Sequence, residues 1–374
     1  MPLPADGTGK QMFFSLTVNG ERIHSKRTVR DRRTLRVGLW VPVLFTGMMG
    51  EPAAVTPPNI TARAAAVYDM KSGQWIYEKA AEQSVPPAST VKLLTAMVVL
   101  DKWRPDRTVR IPASVSKIAP YKLYLKRGER YPVKDLLYAL LMRSANDVAH
   151  ALAVRAAGSE RKFAQWMNRK ARSIGAAHSR FANPHGLPDP KQRVTARDMA
   201  LIAAHARNYP LITVILNTRR WKFYGPGDRV TPMENRNKLL LRGEQPVLLG
   251  KTGYTHKAGR CFAGYLNESR VPMAIVVYRS RHRWEDLRKL AAWAGHFYRR
   301  RIARNRRLLT RTQVANIQRY LLEKNFFVGA VDGVFGPRTL SGLLRYQHAR
   351  GLKTDGIIGP RTLAFLEKDI GSFD

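Results

Sequence analysis

The chain has 374 residues, of which 44% are hydrophobic, and its 65 Lys and Arg against 27 Asp and Glu give a formal net charge of +38. Such a composition excludes wholesale disorder and provides for two domains and a leader, while the single cysteine, Cys261, excludes an intrachain disulfide or a cysteine-based metal site. The charge attracts polyanions, but neither zinc-finger spacing nor an aromatic-rich RNA-binding signature accompanies it, so the basic surface reads as facing an anionic membrane or an acidic wall polymer, with no specific nucleic acid expected.

In chain order, the basic Arg30–Arg36 segment leads into about a dozen apolar residues from Val37. That is the pattern of an export signal, and the apolar run is shorter than the roughly 20 residues a bilayer requires. A buried strand is the competing reading. Residues 1–55 are therefore expected to be a leader, with the signal-like part at 30–50 and cleavage within Gly50–Val55. The polar stretch before it is long for a signal, which suggests a translation start downstream, at Val29.

From Ala64 the pattern is structural. Two apolar segments flanking Lys71-Ser72-Gly73 predict a hairpin, and Thr90 to Leu100 predicts a helix. Leu136, Leu137, Leu140 and Leu141 mark a helical face, and Asp147 to Val154 resumes the helix after a break. Met273–Tyr278 reads as a buried strand and Trp284–Tyr298 as a closing helix. Strands at both ends with helices between them predict an α+β fold, one antiparallel sheet flanked by helices. Residues 301–312 read as a basic linker. Beyond it Asp332-Gly333-Val334-Phe335-Gly336-Pro337-Arg338-Thr339-Leu340 recurs as Asp355-Gly356-Ile357-Ile358-Gly359-Pro360-Arg361-Thr362-Leu363, a repeat within a small all-α module.

Three short motifs occur in order: Ser89-Thr90-Val91-Lys92, Ser144-Ala145-Asn146 and Lys251-Thr252-Gly253. Ser89 and Lys92, three apart at a helix start, share one face, and a lysine amine with a lowered pKa can take a serine proton. Taken alone, Ser89 would equally serve as a helix cap and Lys92 as a surface-seeking chain. Ser144 could relay a proton and Asn146 could bind an amide, or the pair could simply cap a helix. An extended Lys251-Thr252-Gly253 lets a peptide lie beside it as an added strand, against the competing reading of a surface turn.

The set of three motifs resembles that of penicillin-binding proteins and class A β-lactamases. Together with Pro87-Ala88, His185-Gly186-Leu187, Thr195–Ala200, Asn235–Leu240 and Gly250–Cys261, it is similar to the low-molecular-mass D-alanyl-D-alanine carboxypeptidases over residues 60–300. The resemblance implies a β-lactamase/transpeptidase-like fold in a catalytic domain at 56–300. It implies Ser89 as nucleophile, Lys92 as general base, Ser144 as proton relay, Asn146 as orienting group and Lys251 as electrostatic support. Backbone N–H groups of Ser89 and Tyr254 would form an oxyanion hole, and Thr252, Gly253, Thr255 and Arg283 would contact substrate, with Arg279 and Arg281 as neighbours of that last position. Cys261 falls at a position read as buried and non-catalytic.

The implied reaction is removal of the terminal D-alanine from peptidoglycan stem pentapeptides, with β-lactams as covalent inhibitors and neither cofactor nor metal. Alternatives are a DD-endopeptidase cutting crosslinks, a weak β-lactamase or a non-catalytic wall-binding protein. Ala145 stands where class A β-lactamases have aspartate, which argues against efficient antibiotic hydrolysis. Residues 313–368 resemble a peptidoglycan-binding domain, whose repeated Gly and Asp shape turns. The expected location is the periplasm or cell envelope.

Overall fold

The computed structural model describes residues 56–119, 121–267, 272–327 and 329–371, with the backbone of 17–18 and 21–22. The chain divides into two compact units, 1–52 and 53–374. In the first, Thr17–Val18 pairs antiparallel with Glu21–Arg22. The signal-like segment expected at 30–50 lies outside the described residues.

The second unit is organised by a five-stranded antiparallel sheet. β1 (Ala64–Asp69) and β2 (Gln74–Lys79) form the expected hairpin, with Gly73 supplying the left-handed turn residue at φ +74°. β3 (Leu248–Thr255), β4 (Gly259–Leu266) and β5 (Met273–Ser280) come from much later in the chain and complete the order β2-β1-β5-β4-β3. β3 is therefore an edge strand, bonded to β4 from Gly259↔Thr255 to Leu266↔Leu248.

Side chains alternate across the sheet. Ala64, Ala66, Ala263 and Val276 enter one buried cluster, and Ala65, Val67, Phe262 and Val277 enter another. With both faces covered, these strands are apolar at nearly every position instead of alternating.

The first layer holds α1 (Lys92–Lys102), α2 (Val133–Tyr138), α3 (Asn146–Ala157), α4 (Glu160–Ser173), α5 (Ala196–Ala206) and α6 (Pro210–Asn217). α5 starts where Thr195 Oγ1 accepts from Asp198 N (3.0 Å), and α4 where Ser159 Oγ accepts from Lys162 N (3.2 Å). α2 widens into a π-type turn over Ala139–Arg143 and stops at Ser144, whose φ of +68° breaks the helix and starts the chain into α3. A short α7 (Lys238–Leu241), capped by Asn237, precedes β3.

The opposite face is covered by α8 (Arg283–Leu308), followed by α9 (Arg311–Glu323), α10 (Pro337–Ala349) and α11 (Pro360–Ile370). The expected linker at 301–312 is not a free tether, because α8 continues through it to Leu308. Tyr298, Arg301, Ile302 and Asn305 recur at helical spacing on one side of α8. Arg301 donates to Asp355 O, Asn305 donates to Gly356 O (2.9 Å) and accepts from Ile358 N (3.1 Å), and Arg306 donates to Phe335 O (2.8 Å). Polar side chains thus add to the apolar cluster that joins α8 to the C-terminal helices.

The internal repeat folds as two equivalent turns, each closed by a buried glutamine. Gln318 Oε1 accepts from Asp332 N and Gly333 N (3.0 and 2.9 Å), and Gln347 Oε1 accepts from Gly356 N (2.8 Å). Asp332 and Asp355 each accept from the backbone two residues on, at 2.9 Å. Pro337 and Pro360 then open α10 and α11.

Candidate active site

Ser89 lies in a 3₁₀ turn, Ala88–Val91, that runs into α1. Ala88 is left-handed at φ +49°, an uncommon conformation for alanine that turns the chain sharply before the serine. No side chain caps this turn, so Ser89 is not a helix cap. Its Oγ instead accepts from Lys92 Nζ at 3.1 Å.

Lys92 is wholly buried and does not reach the surface. Its ammonium also donates to Asn146 Oδ1 (2.8 Å) and to the carbonyl of His185. Burial, with the charge of Arg236 acting in the same direction and Asp147 opposing it, lowers its pKa to about 7. A neutral amine beside a hydroxyl is a base able to take its proton.

Asn146 opens α3, whose N-cap is Ala145 without a side-chain cap, so neither Ser144 nor Asn146 acts as a helix cap there. Ser144, also buried, sits at the left-handed break two residues earlier. Asn146 N donates to Tyr121 O (2.8 Å), and Asp147 accepts from Leu123 N, Leu125 N and Val148 N, fixing the 121–125 loop beside the site.

Lys251, Thr252 and Gly253 belong to the buried part of β3 and are not a surface turn. Lys251 Nζ donates to Thr252 O (2.9 Å), and its pKa is held well below the usual lysine value by burial and by the charges of Lys92, Arg236 and Arg283. Gly253 lies against the turn that carries Ser89. A Cβ there would stand 3.0 Å from Ala88 Cβ and 3.1 Å from Ser89 N, which explains a residue without a side chain. Tyr254 is 59% exposed, and Thr255 Oγ1 accepts from Ala258 N (3.0 Å), closing the β3–β4 turn.

Arg283, at the first turn of α8, directs Nη1 to the carbonyls of Gly253 (3.1 Å) and Cys261 (3.0 Å). It therefore bears on the site through β3, with its own pKa lowered to about 10 by burial. Arg279 and Arg281 face another cavity. Cys261 is buried, and burial pushes its thiol up to about 12.

Two contributors were not singled out from sequence. Arg236, over the Tyr121 ring at 5.2 Å, adds positive charge beside both lysines. The His185 carbonyl receives Lys92, and its ring is anchored by Glu160, whose Oε1 meets His185 Nε2 at 3.2 Å and His150 Nδ1 at 2.7 Å. His185 Nδ1 accepts from Leu187 N (3.2 Å), which leaves Nε2 as the donor to Glu160. The signal for this anchor is the His185-Gly186-Leu187 run, but nothing in the sequence reveals that its backbone oxygen is the atom that meets Lys92.

The pattern of the D-alanyl-D-alanine carboxypeptidase family, peptidase S11, matches residues 51–281, and that of a peptidoglycan binding domain matches residues 310–366. A D-alanyl-D-alanine endopeptidase of Escherichia coli K12 is 30% identical over 268 residues, 70% of this chain and 86% of that protein. D-alanyl-D-alanine carboxypeptidase DacC of the same organism is 30% identical over 275 residues, 70% of this chain and 66% of that protein. Among solved structures, D-alanyl-D-alanine carboxypeptidase from Mycobacterium tuberculosis H37Rv superposes with a TM-score of 0.61 at 28% identity, covering 66% of this chain and 95% of that one. Penicillin-binding protein D2 from Listeria monocytogenes, in its ampicillin-bound form, gives a TM-score of 0.56 at 28% identity, covering 64% and 100%.

Proposed function

The chain belongs to the D-alanyl-D-alanine carboxypeptidase family, peptidase S11, and from that premise we propose that it removes the terminal D-alanine from peptidoglycan stem pentapeptides. The observation that carries the reading is the Lys92 Nζ to Ser89 Oγ contact of 3.1 Å, made by an amine whose pKa is lowered to about 7.

The steps follow from these groups. Neutral Lys92 takes the Ser89 proton as Oγ attacks the carbonyl between the two D-alanines. The N–H groups of Ser89 and Tyr254 receive the developing oxyanion. Ser144 passes the proton to the leaving amine and D-alanine departs. Water then attacks the acyl ester, returning its proton by the same route. Asn146 holds the Lys92 amine in line, and Lys251 supplies positive potential. The substrate extends along the open edge of β3 against Thr252 and Thr255, and the remaining donors of Arg283 meet its carboxylate.

A β-lactam presents a strained amide to the same groups and is proposed to acylate Ser89 covalently. Intact-mass measurement after penicillin exposure is expected to show one adduct on the protein and none on Ser89→Ala. A protein without any adduct would favour a wall-binding role alone.

The relatives named endopeptidase favour a second activity, cleavage of D-alanyl crosslinks. Purified muropeptides separate the two: a carboxypeptidase shortens pentapeptides, whereas an endopeptidase converts dimers to monomers. The signal-like segment supports export to the envelope, where the C-terminal module would hold the enzyme on its polymer and raise the local substrate concentration.

A further inference from the structure

Next to the catalytic strand lies a cavity of about 670 Å³, lined where β3 turns into β4, where β5 ends and by the entry segment 59–63. Five of its twelve lining residues are cationic, namely Arg63, Lys79, Arg260, Arg279 and Arg281, a density well above the 65 in 374 of the whole chain. Among the described residues none of the five forms an ion pair with a carboxylate. Like charges gathered without a carboxylate to pair with repel one another, a cost that an anionic ligand relieves.

The backbone is shaped to hold them there. The β4–β5 register shifts between Arg260 and Phe262, a bulge of the kind that redirects side chains beside active sites. Arg279, opposite, is left-handed at φ +51°, and the glycine facing it is left-handed too, with a Gly259 Cβ position only 3.1 Å from Arg279 Cα. Lys79 Nζ is steadied by Ile60 O (2.8 Å) and Arg260 Nη1 by Arg281 O (3.0 Å).

Tyr254 joins this cavity to the reaction centre, being both a lining residue and the one after Gly253. A peptide pairing antiparallel to β3 with its scissile carbonyl at Ser89 runs its upstream residues past Tyr254 towards the cations, at about 3.3 Å per residue. We propose that this cavity binds carboxylates carried on the upstream residues of the peptide cut at Ser89. The proposal rests on the carboxypeptidase reading and adds to it a preference for acidic stems over amidated ones.

The test uses the full chain and two pentapeptides ending in D-Ala-D-Ala, identical except that the carboxyl groups upstream of the D-alanines are free or amidated. Arg260→Gln combined with Arg279→Gln is expected to raise KM about tenfold for the acidic peptide, the scale of one or two charge-assisted contacts, with little change for the amidated one. Added salt is expected to reproduce the difference in the unaltered protein. Penicillin acylation and the thermal transition of the variant report whether its site and fold are intact. An acid-to-amide ratio unchanged by the variant, or acidic and amidated peptides cleaved alike by the unaltered protein, overturns the proposal. If the unaltered protein cleaves neither peptide, the carboxypeptidase reading fails and this inference falls with it.

Discussion

Lys92 shows how burial changes the protonation of a single residue. Burial penalises its charged form and Arg236 adds repulsion, so the amine titrates at about 7. In the proposed mechanism the base acts when neutral, so acylation of Ser89 is expected to be slow in acid, to rise through about pH 7 and then to level off. Replacing Arg236 by Gln removes a charge that disfavours the ammonium, so the Lys92 pKa and the midpoint of the profile should move upward. The rate of β-lactam acylation against pH measures both, and an unshifted midpoint would show that burial alone sets the value. At this scale the sequence was informative for the grouping of Ser89, Lys92 and Asn146, whose side chains meet in the structure, because residue type limits the contacts a side chain can make. It was uninformative for His185, which meets Lys92 through a carbonyl every residue possesses. Arg236 was hidden for another reason: in so basic a chain, a further arginine carries little information until the fold places it.

At the scale of elements, the site is assembled by close approaches of backbone. Gly186 lies against the turn that carries Ser89, with φ +87° and a Cβ position 1.9 Å from Ala88 O. Asn183 Oδ1 accepts from Gly186 N (2.8 Å), locking the loop that presents the His185 carbonyl to Lys92. Gly186→Ala therefore meets both a strained φ, worth about 1–3 kcal/mol, and a direct overlap with backbone. The expected outcome is a loss of at least about 2 kcal/mol in denaturant unfolding, together with slower acylation in the fraction that remains folded. Wild-type stability would mean that the loop moves away freely. The hairpin, the β5 strand and the helices were legible because their apolar spacing follows the period of each element. The far end of α8 was not, because Arg301 and Asn305 occupy inward positions that the pattern reserves for apolar residues. Composition suggested a tether where the structure has a docking surface.

For the molecule as a whole, that extension of α8 decides how the two functional parts are joined. One buried cluster contains Val67 and Phe262 of the sheet, Leu287 and Leu290 of α8, and Ile317, Leu340 and Leu366 of the C-terminal helices. The catalytic and wall-binding parts therefore share a core, and their unfolding is expected to be a single transition. Asn305 is the point at which the polar half of this joint can be tested. It is fully buried, and its amide pairs with Gly356 O and Ile358 N, both in the second repeat turn. Truncation to alanine leaves both backbone groups buried without partners, at about 1–3 kcal/mol each. The second turn loses its anchor, while the Ser89–Lys92 pair, on the opposite face of the sheet, keeps every contact. Asn305→Ala should therefore lower retention on insoluble peptidoglycan and reduce stability, while the penicillin acylation rate stays within about twofold of the unaltered protein. Sedimentation with wall sacculi and adduct formation over time measure the two effects separately. Equal loss of both would mean that the joint transmits strain through the sheet to the catalytic edge, so that the C-terminal helices support the active site as well as its delivery to the wall.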